Sequence, residues 1–305
     1  MTGRVHDTSM TQPDSDTFTL QDGRTLAFTS AGRSDGKPIV YFHGAPGSRL
    51  EGGPDSLFVD DLAAAGIRLV AFDRPGYGAS TPYPRRRVID VAEDFGELLD
   101  HLGIDRAGVV GWSAGGPHAL ATAFANPCRV TAVGVIAGLA PLRDVGLEGV
   151  GERTLYERAQ RNETRFRAEV AELATLMAAD PLAAILSLLE GVLTEADIAY
   201  AAKPAFSNIM MLSMREAARC DLAGYADDIL AVHQDWGFPL DEVRRPVRIL
   251  HGHDDLLVPA THGRYLAGEL PNATYKEVEA GHLSVLQGFV ALVQDLAVRP
   301  GHTQD

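Results

Sequence analysis

Gly111-Trp112-Ser113-Ala114-Gly115-Gly116 stands between two segments of different character. Before it, Ala107 to Gly111 (AGVVG) is a short apolar run that reads as a buried strand. After it, Pro117 to Ala125 (PHALATAFA) is rich in alanine and reads as a helix. Ser113 therefore falls in a strand-to-helix turn. Such a turn is sharp, so the residues flanking the serine must lack bulk if its hydroxyl is to project at the C-terminal edge of a sheet. Gly111, Gly115 and Gly116 meet that demand. The new helix also turns its unpaired N–H groups and positive dipole end toward this point, which favours negative charge developing on a substrate oxygen. These are the features of a nucleophile elbow. A chain with 31 glycines can also produce G-x-S-x-G in an ordinary surface turn, so the rest of the sequence has to supply the context.

Upstream, Pro38 to Phe42 (PIVYF) reads as another buried strand and ends in His43-Gly44-Ala45-Pro46-Gly47. A loop so rich in Gly and Pro can lay a backbone N–H beside the serine. The Ala45 amide is the candidate, paired with that of Ala114 as an oxyanion hole. The plainer reading of His43-Gly44 is a turn whose histidine only packs.

With these two motifs in place, the chain resembles the α/β-hydrolase fold family from about Thr17 to Val298. The resemblance is carried by HGAPG at 43–47, DRPGYGAS at 73–80, GWSAGG at 111–116, GHDDLLVP at 252–259 and AGH at 280–282, in that order and spacing. It implies a mostly parallel sheet flanked by helices, with a Ser, acid, His triad in that chain order at the C-terminal ends of strands.

The acid should follow a late strand, and Pro246 to Leu250 supplies one before His251-Gly252-His253-Asp254-Asp255. Two aspartates compete there. The family pattern implies Asp255, because an aspartate three residues after the glycine and ahead of Val258-Pro259 takes the role. His251, His253, Asp254 and Asp255 superficially resemble a metal site. Within five consecutive residues at a strand end, however, their side chains splay in alternating directions, so no metal is expected. Beyond Asp255 only His262, His282 and His302 remain as bases. His262 falls in the helix opened by Pro259, and His302 lies in a polar tail. His282 follows the strand-like Thr274 to Val278 and precedes a helical run, Leu283 to Val298, so a loop can swing its imidazole over Ser113. His101, His118 and His233 read as packed or solvated side chains.

Relatives that open epoxides or displace halide carry aspartate at the elbow, whereas serine suits acyl transfer. The expected activity is hydrolysis of a small carboxylic ester, or a related acyl compound, through an acyl-enzyme at Ser113 with His282 as base. No cofactor is called for. Two other readings stay open. One is a non-hydrolytic lyase or cyclase, or a ligand-binding member of the fold. The other is proline iminopeptidase-like action, although those relatives tend to place tryptophan after the serine and Trp112 precedes it.

Composition agrees with a soluble globular protein, since 46% of the 305 residues are hydrophobic and 22% charged. The net charge of −14 argues against nucleic acid and acidic membrane surfaces as partners, leaving a small-molecule substrate. Arg85-Arg86-Arg87 is the only basic run and reads as the solvated start of a helix through Leu102. Cys128 and Cys220 are too few for a disulfide scaffold. The polar residues 1–16 lack an apolar core and read as a disordered leader, so a cytoplasmic location is expected. Residues 299–305 form a tail.

Strand-like and helix-like segments alternate up to residue 139 and resume at 241, which outlines a core of 17–139 and 241–298. Residues 140–240 contain only helix-like segments, such as Thr154 to Ala179, Pro181 to Leu193 and Ser207 to Arg219. They are expected to lie over the site as a helical cap. Met177, Ile209, Met210, Met211, Leu212 and Met214 are candidates for an adaptable acyl pocket or for the core of the cap itself. Trp112 and Trp236 carry the same two readings.

Overall fold

The computed structural model of the protein describes residues 16–146 and 153–298. The expected leader therefore lies outside the described residues except for Asp16, which opens the first strand, and the tail 299–305 lies outside them entirely. Strands β1 (Asp16–Thr19), β2 (Thr25–Gly32) and β3 (Lys37–Phe42) are followed by helix α1 (Val59–Ala64) and strand β4 (Ile67–Phe72). Helix α2 (Ala92–His101), strand β5 (Ala107–Trp112), helix α3 (Gly115–Ala125) and strand β6 (Val130–Ile136) complete the first half of the core.

The eight strands form one sheet in the order β1-β2-β4-β3-β5-β6, with β7 (Val247–Gly252) and β8 (Ala273–Val278) beyond β6. Only the β1–β2 and β2–β4 pairings are antiparallel. Every residue of β5 is buried, as expected of a central parallel strand covered on both faces, where a continuous apolar run replaces alternation. Strand β8 lies at the sheet's edge and keeps Thr274 and Lys276 in solvent, which discourages pairing with another chain. Helices α11 (Ala260–Glu269) and α12 (Phe289–Ala297) pack on the second half of the sheet, and α3 packs on β5 and β6.

Between β6 and β7 the regular elements of the described chain are all helices, joined by turns and irregular segments. They include α4 (Leu142–Val145), α5 (Arg153–Arg161), α6 (Glu163–Ala179), α7 (Pro181–Leu188), α8 (Glu195–Ala201), α9 (Pro204–Ala217) and α10 (Ala223–His233). The single helix expected from Thr154 to Ala179 is two, because Asn162 leaves the helical conformation and its side chain accepts from the Arg165 amide to start α6. Asp180 caps α7 in the same way and fixes the break before it. The helix expected through Leu102 begins as a short 3₁₀ turn at Ile89–Val91 before α2.

The basic run at 85–87 is the larger departure. Arg86 is fully buried, with its guanidinium 2.5 Å from Asp228 Oδ1, so it is not part of a solvated helix start. Burial is tolerated because the charge is paired.

Candidate active site

Strand β5 ends at Trp112 and α3 starts at Gly115, which leaves Ser113 in the turn between them. Its φ of 55° is in the left-handed region, a conformation that costs a non-glycine residue about 1–3 kcal/mol and persists only where the surroundings impose it. They do so here. The Ser113 amide donates to the Ile136 carbonyl at 2.9 Å. A Cβ on Gly111 would overlap the Gly115 carbonyl, and one on Gly115 would overlap that of Phe42. Both positions therefore require glycine for close approach of backbone to backbone.

His282 follows β8 and is buried, with Nε2 3.0 Å from Ser113 Oγ. Its other ring nitrogen, Nδ1, lies 2.8 Å from Asp255 Oδ2. Asp255 follows β7, and its second oxygen accepts from the amides of Leu257 at 2.9 Å and Val258 at 2.8 Å. The carboxylate is thus fixed in orientation and aimed at the imidazole, which makes Nδ1–H the donor and leaves Nε2 to accept from the serine hydroxyl. Asp254 and His253 are exposed on the other side of the turn, and His253 Nδ1 meets Glu277 at 2.6 Å. His251 is buried beneath Asp255 and donates from Nε2 to the Val258 carbonyl at 2.9 Å; burial lowers its pKa. His262, inside α11, accepts at Nδ1 from the Ala140 amide, and burial lowers its pKa to about 4.

Two cavities meet at Ser113. The larger encloses about 130 Å³ and is lined by Ile185, Leu189, Phe206, Met210, Met211 and Met214 of the inserted helices together with Trp112 and Ala45 of the core. Among the described residues lining it, His282 is the only titratable side chain. The smaller, of about 20 Å³, is bounded by Ala45, Ser113, Ala114 and Asp228. Trp112, Met210 and Met211 are therefore at the cavity, whereas Trp236 is not. Its indole N–H donates to the Val232 carbonyl at 3.0 Å and its ring packs 6.0 Å from that of Phe238, so it belongs to the packing of α10. Met177 is buried away from the cavity, and Ile209 borders a separate void of about 20 Å³.

The loop at His43–Gly47 is held by a buried ion network. Arg74 donates from Nη1 to the His43 carbonyl and from Nη2 to that of Gly44 at 3.1 Å. The same guanidinium meets Asp228 Oδ2, which also accepts from Tyr77 at 2.7 Å, while Asp228 Oδ1 meets Arg86 and lies 3.0 Å from His118 Nε2. Burial alone would raise the pKa of Asp228, but Arg74 and Arg86 hold it well below the usual carboxylate range. Burial, reinforced by Arg74, pushes His43 and His118 well below the ordinary histidine value. In the sequence, His118 reads as a bland side chain and Asp228 carries no signal at all. His43, Arg74 and Tyr77 sit in recognisable motifs, at 43–47 and 73–80.

A model of the alpha/beta hydrolase fold matches residues 37–289, and the chain belongs to that family. It is 30% identical over 237 residues to a pimeloyl-[acyl-carrier protein] methyl ester esterase of Aromatoleum aromaticum, covering 76% of this chain and 88% of that protein. It is 37% identical over 132 residues to a proline iminopeptidase of Xanthomonas citri, covering 42% of this chain and 41% of the relative. The matches to three proline iminopeptidases span only 32–41% of those proteins. Among solved structures, an enol-lactonase of Burkholderia xenovorans superposes with a TM-score of 0.67 at 19% identity, over 92% of this chain and 99% of that one. No described helix is long and apolar enough to cross a membrane.

Proposed function

We propose that the protein is a serine hydrolase that cleaves a small carboxylic ester with an apolar acyl group through an acyl-enzyme at Ser113. The observation that carries this reading is the hydrogen-bonded line from Asp255 through His282 to Ser113, opening onto the apolar cavity. His282 takes the Ser113 proton at Nε2 as Oγ attacks the ester carbonyl, and Asp255 stabilises the imidazolium without accepting its proton. The developing oxyanion is met by the amides of Ala45 and Ala114, the latter at the N-terminus of α3. His282 then gives its proton to the departing alcohol. Water, activated by the same nitrogen, releases the acid.

The cavity favours an acyl group over an aminoacyl one. An apolar space of about 130 Å³ is close to the size that holds a benzene ring, and it desolvates hydrocarbon at no polar cost. The likeness to proline iminopeptidases is the ground for a second reading, in which a free ammonium would have to be bound near Ser113. No described acidic residue lines the larger cavity, and Asp228 beside the smaller one is already neutralised by two arginines.

The test is intact mass after treatment with a fluorophosphonate, for the wild-type protein and for Ser113→Ala. One adduct that disappears in the variant is expected, followed by turnover of p-nitrophenyl esters. No adduct on the wild-type protein would sink the acyl-enzyme reading and favour a ligand-binding or non-hydrolytic role. Release of arylamine from a proline arylamide faster than phenol from esters would favour the iminopeptidase reading.

A further inference from the structure

The loop that carries His282 is not held by the core alone. Asp197, on helix α8 of the insertion, is completely buried against it. Its Oδ1 accepts from the amides of Leu283 at 2.9 Å and Ser284 at 2.8 Å and from the Ser284 hydroxyl at 2.9 Å. Its Oδ2 accepts from the His282 amide at 3.2 Å and from the Thr194 amide of its own helix at 3.2 Å. From the core side, the Trp112 indole N–H reaches the His282 carbonyl at 3.4 Å. A Cβ on Gly281 would overlap the Asp197 carboxylate, so the loop approaches this group as closely as backbone allows.

A carboxylate that collects this many donors from three successive residues does more than cap a helix. The Thr194 hydroxyl already serves that end by accepting from the Asp197 amide at 3.1 Å, and Asp197 would complete a capping box with the Thr194 amide alone. Its other hydrogen bonds all go to residues 282–284. Charge-assisted bonds of this kind are about twice as strong as neutral ones, and burial removes competing water. Burial alone would raise the pKa of Asp197, but the Ser284 amide and hydroxyl and the Thr194 amide lower it, so the group is a carboxylate at neutral pH.

We infer that Asp197 is a positioning residue for His282, carried by the inserted helices, so that the imidazole is aligned with Ser113 only while α8 is seated on its loop. The inference rests on the reading of His282 as the base. It makes α8 part of the catalytic geometry, not merely a wall of the pocket.

The test is the inactivation of Ser113 by a fluorophosphonate, resolved into a limiting rate and an apparent inhibitor affinity, with unfolding midpoints measured beside it. Asp197→Asn keeps the shape but offers only one accepting oxygen. That oxygen is best used by the Leu283 and Ser284 donors, which leaves an amide N–H against the His282 N–H. The limiting rate is expected to fall by about 10- to 100-fold with affinity unchanged, as for an ångström-scale misplacement of a catalytic group. Gly281→Ala, whose Cβ would press on the chemically unaltered Asp197 carboxylate and push the loop away from it, should act in the same direction and serves if the first variant does not fold. Thr194→Val removes only the helix cap and should lower the midpoint while leaving the rate within about twofold.

Absence of any adduct on the wild-type protein would defeat the assignment of Ser113 itself. A wild-type adduct with unchanged rates in Asp197→Asn or Gly281→Ala would leave Ser113 standing and overturn the role of Asp197. A rate loss in Thr194→Val equal to that of Asp197→Asn would reduce Asp197 to a stability element and overturn it as well.

Discussion

Asp228 on α10 lies 2.6 Å from Nη2 of Arg74, and Arg74 in turn donates to the carbonyls of His43 and Gly44 in the loop beside Ser113. The inserted helices thus reach the site's backbone through two buried carboxylates, Asp228 at the loop after β3 and Asp197 at the loop after β8. Such pairs contribute little as isolated stabilisers, because desolvation offsets most of the Coulombic gain, but removing one partner leaves the other charge stranded.

Asp228→Asn should therefore be severe. It leaves Arg74 and Arg86 buried without a counter-charge, and a loss of about 3–5 kcal/mol is expected in urea unfolding. A loss below about 1 kcal/mol would mean that water or another group already compensates the two guanidinium ions.

Two adjacent aspartates can be separated by one comparison. Asp255 is buried and oriented by two amides, whereas Asp254 is exposed, with its amide rather than its side chain engaged, at 3.0 Å from the Ala280 carbonyl. Asp255→Asn should lower kcat for a p-nitrophenyl ester by about 10⁴-fold, because the amide no longer favours the productive tautomer. Asp254→Asn should stay within about twofold, as for a surface substitution. The reverse ranking would move the acid to Asp254.

The residues the structure brings together at Ser113 were legible because each lies in a short motif at a strand end. Local chain direction is set there by an apolar run meeting glycine. The strand read at Ala107 to Gly111 runs one residue further, to Trp112, and is buried along its whole length. The residues that hold the motifs in place were not legible. Arg86 looks solvated in Arg85-Arg86-Arg87 because its partner, Asp228, is 142 positions away. Asp197 looks like an ordinary residue in the first turn of a helix, and nothing near it in sequence announces the loop at 282–284. Trp236 failed in the opposite sense, since a tryptophan in an insertion is equally at home in the packing of the helices themselves. Long-range pairing of polar groups carries no periodicity, so a single sequence does not reveal it.

The cavity gives a prediction with two signs. Ala201, at the end of α8, lines the larger cavity, and Ala201→Phe would fill part of it. The ratio of kcat/KM for a hexanoyl over an acetyl ester should drop by about 10- to 200-fold for each methylene excluded. Met210 borders both this cavity and the small void behind it, so Met210→Ala should join the two and raise the same ratio. It should also cost about 2–5 kcal/mol of stability. An unchanged chain-length profile in both variants would place the acyl group elsewhere.

Acid should destabilise the fold well before the carboxylates titrate. His262 has an ordinary value of 6.5 that burial lowers to about 4, so between those values the unfolded chain binds a proton that the folded one rejects. Its contribution is fully present above pH 6.5 and is lost as pH falls toward 4, amounting to about 3 kcal/mol over that window. His43 and His118, also pushed down by burial, act with the same sign. His262→Asn keeps an acceptor near the Ala140 amide and cannot be protonated. Urea unfolding from pH 7 to pH 4 should therefore give a shallower decline for the variant than for the wild-type protein. Parallel declines would mean that His262 becomes charged within the fold, with water reaching α11, and that the acid sensitivity arises at the other buried histidines.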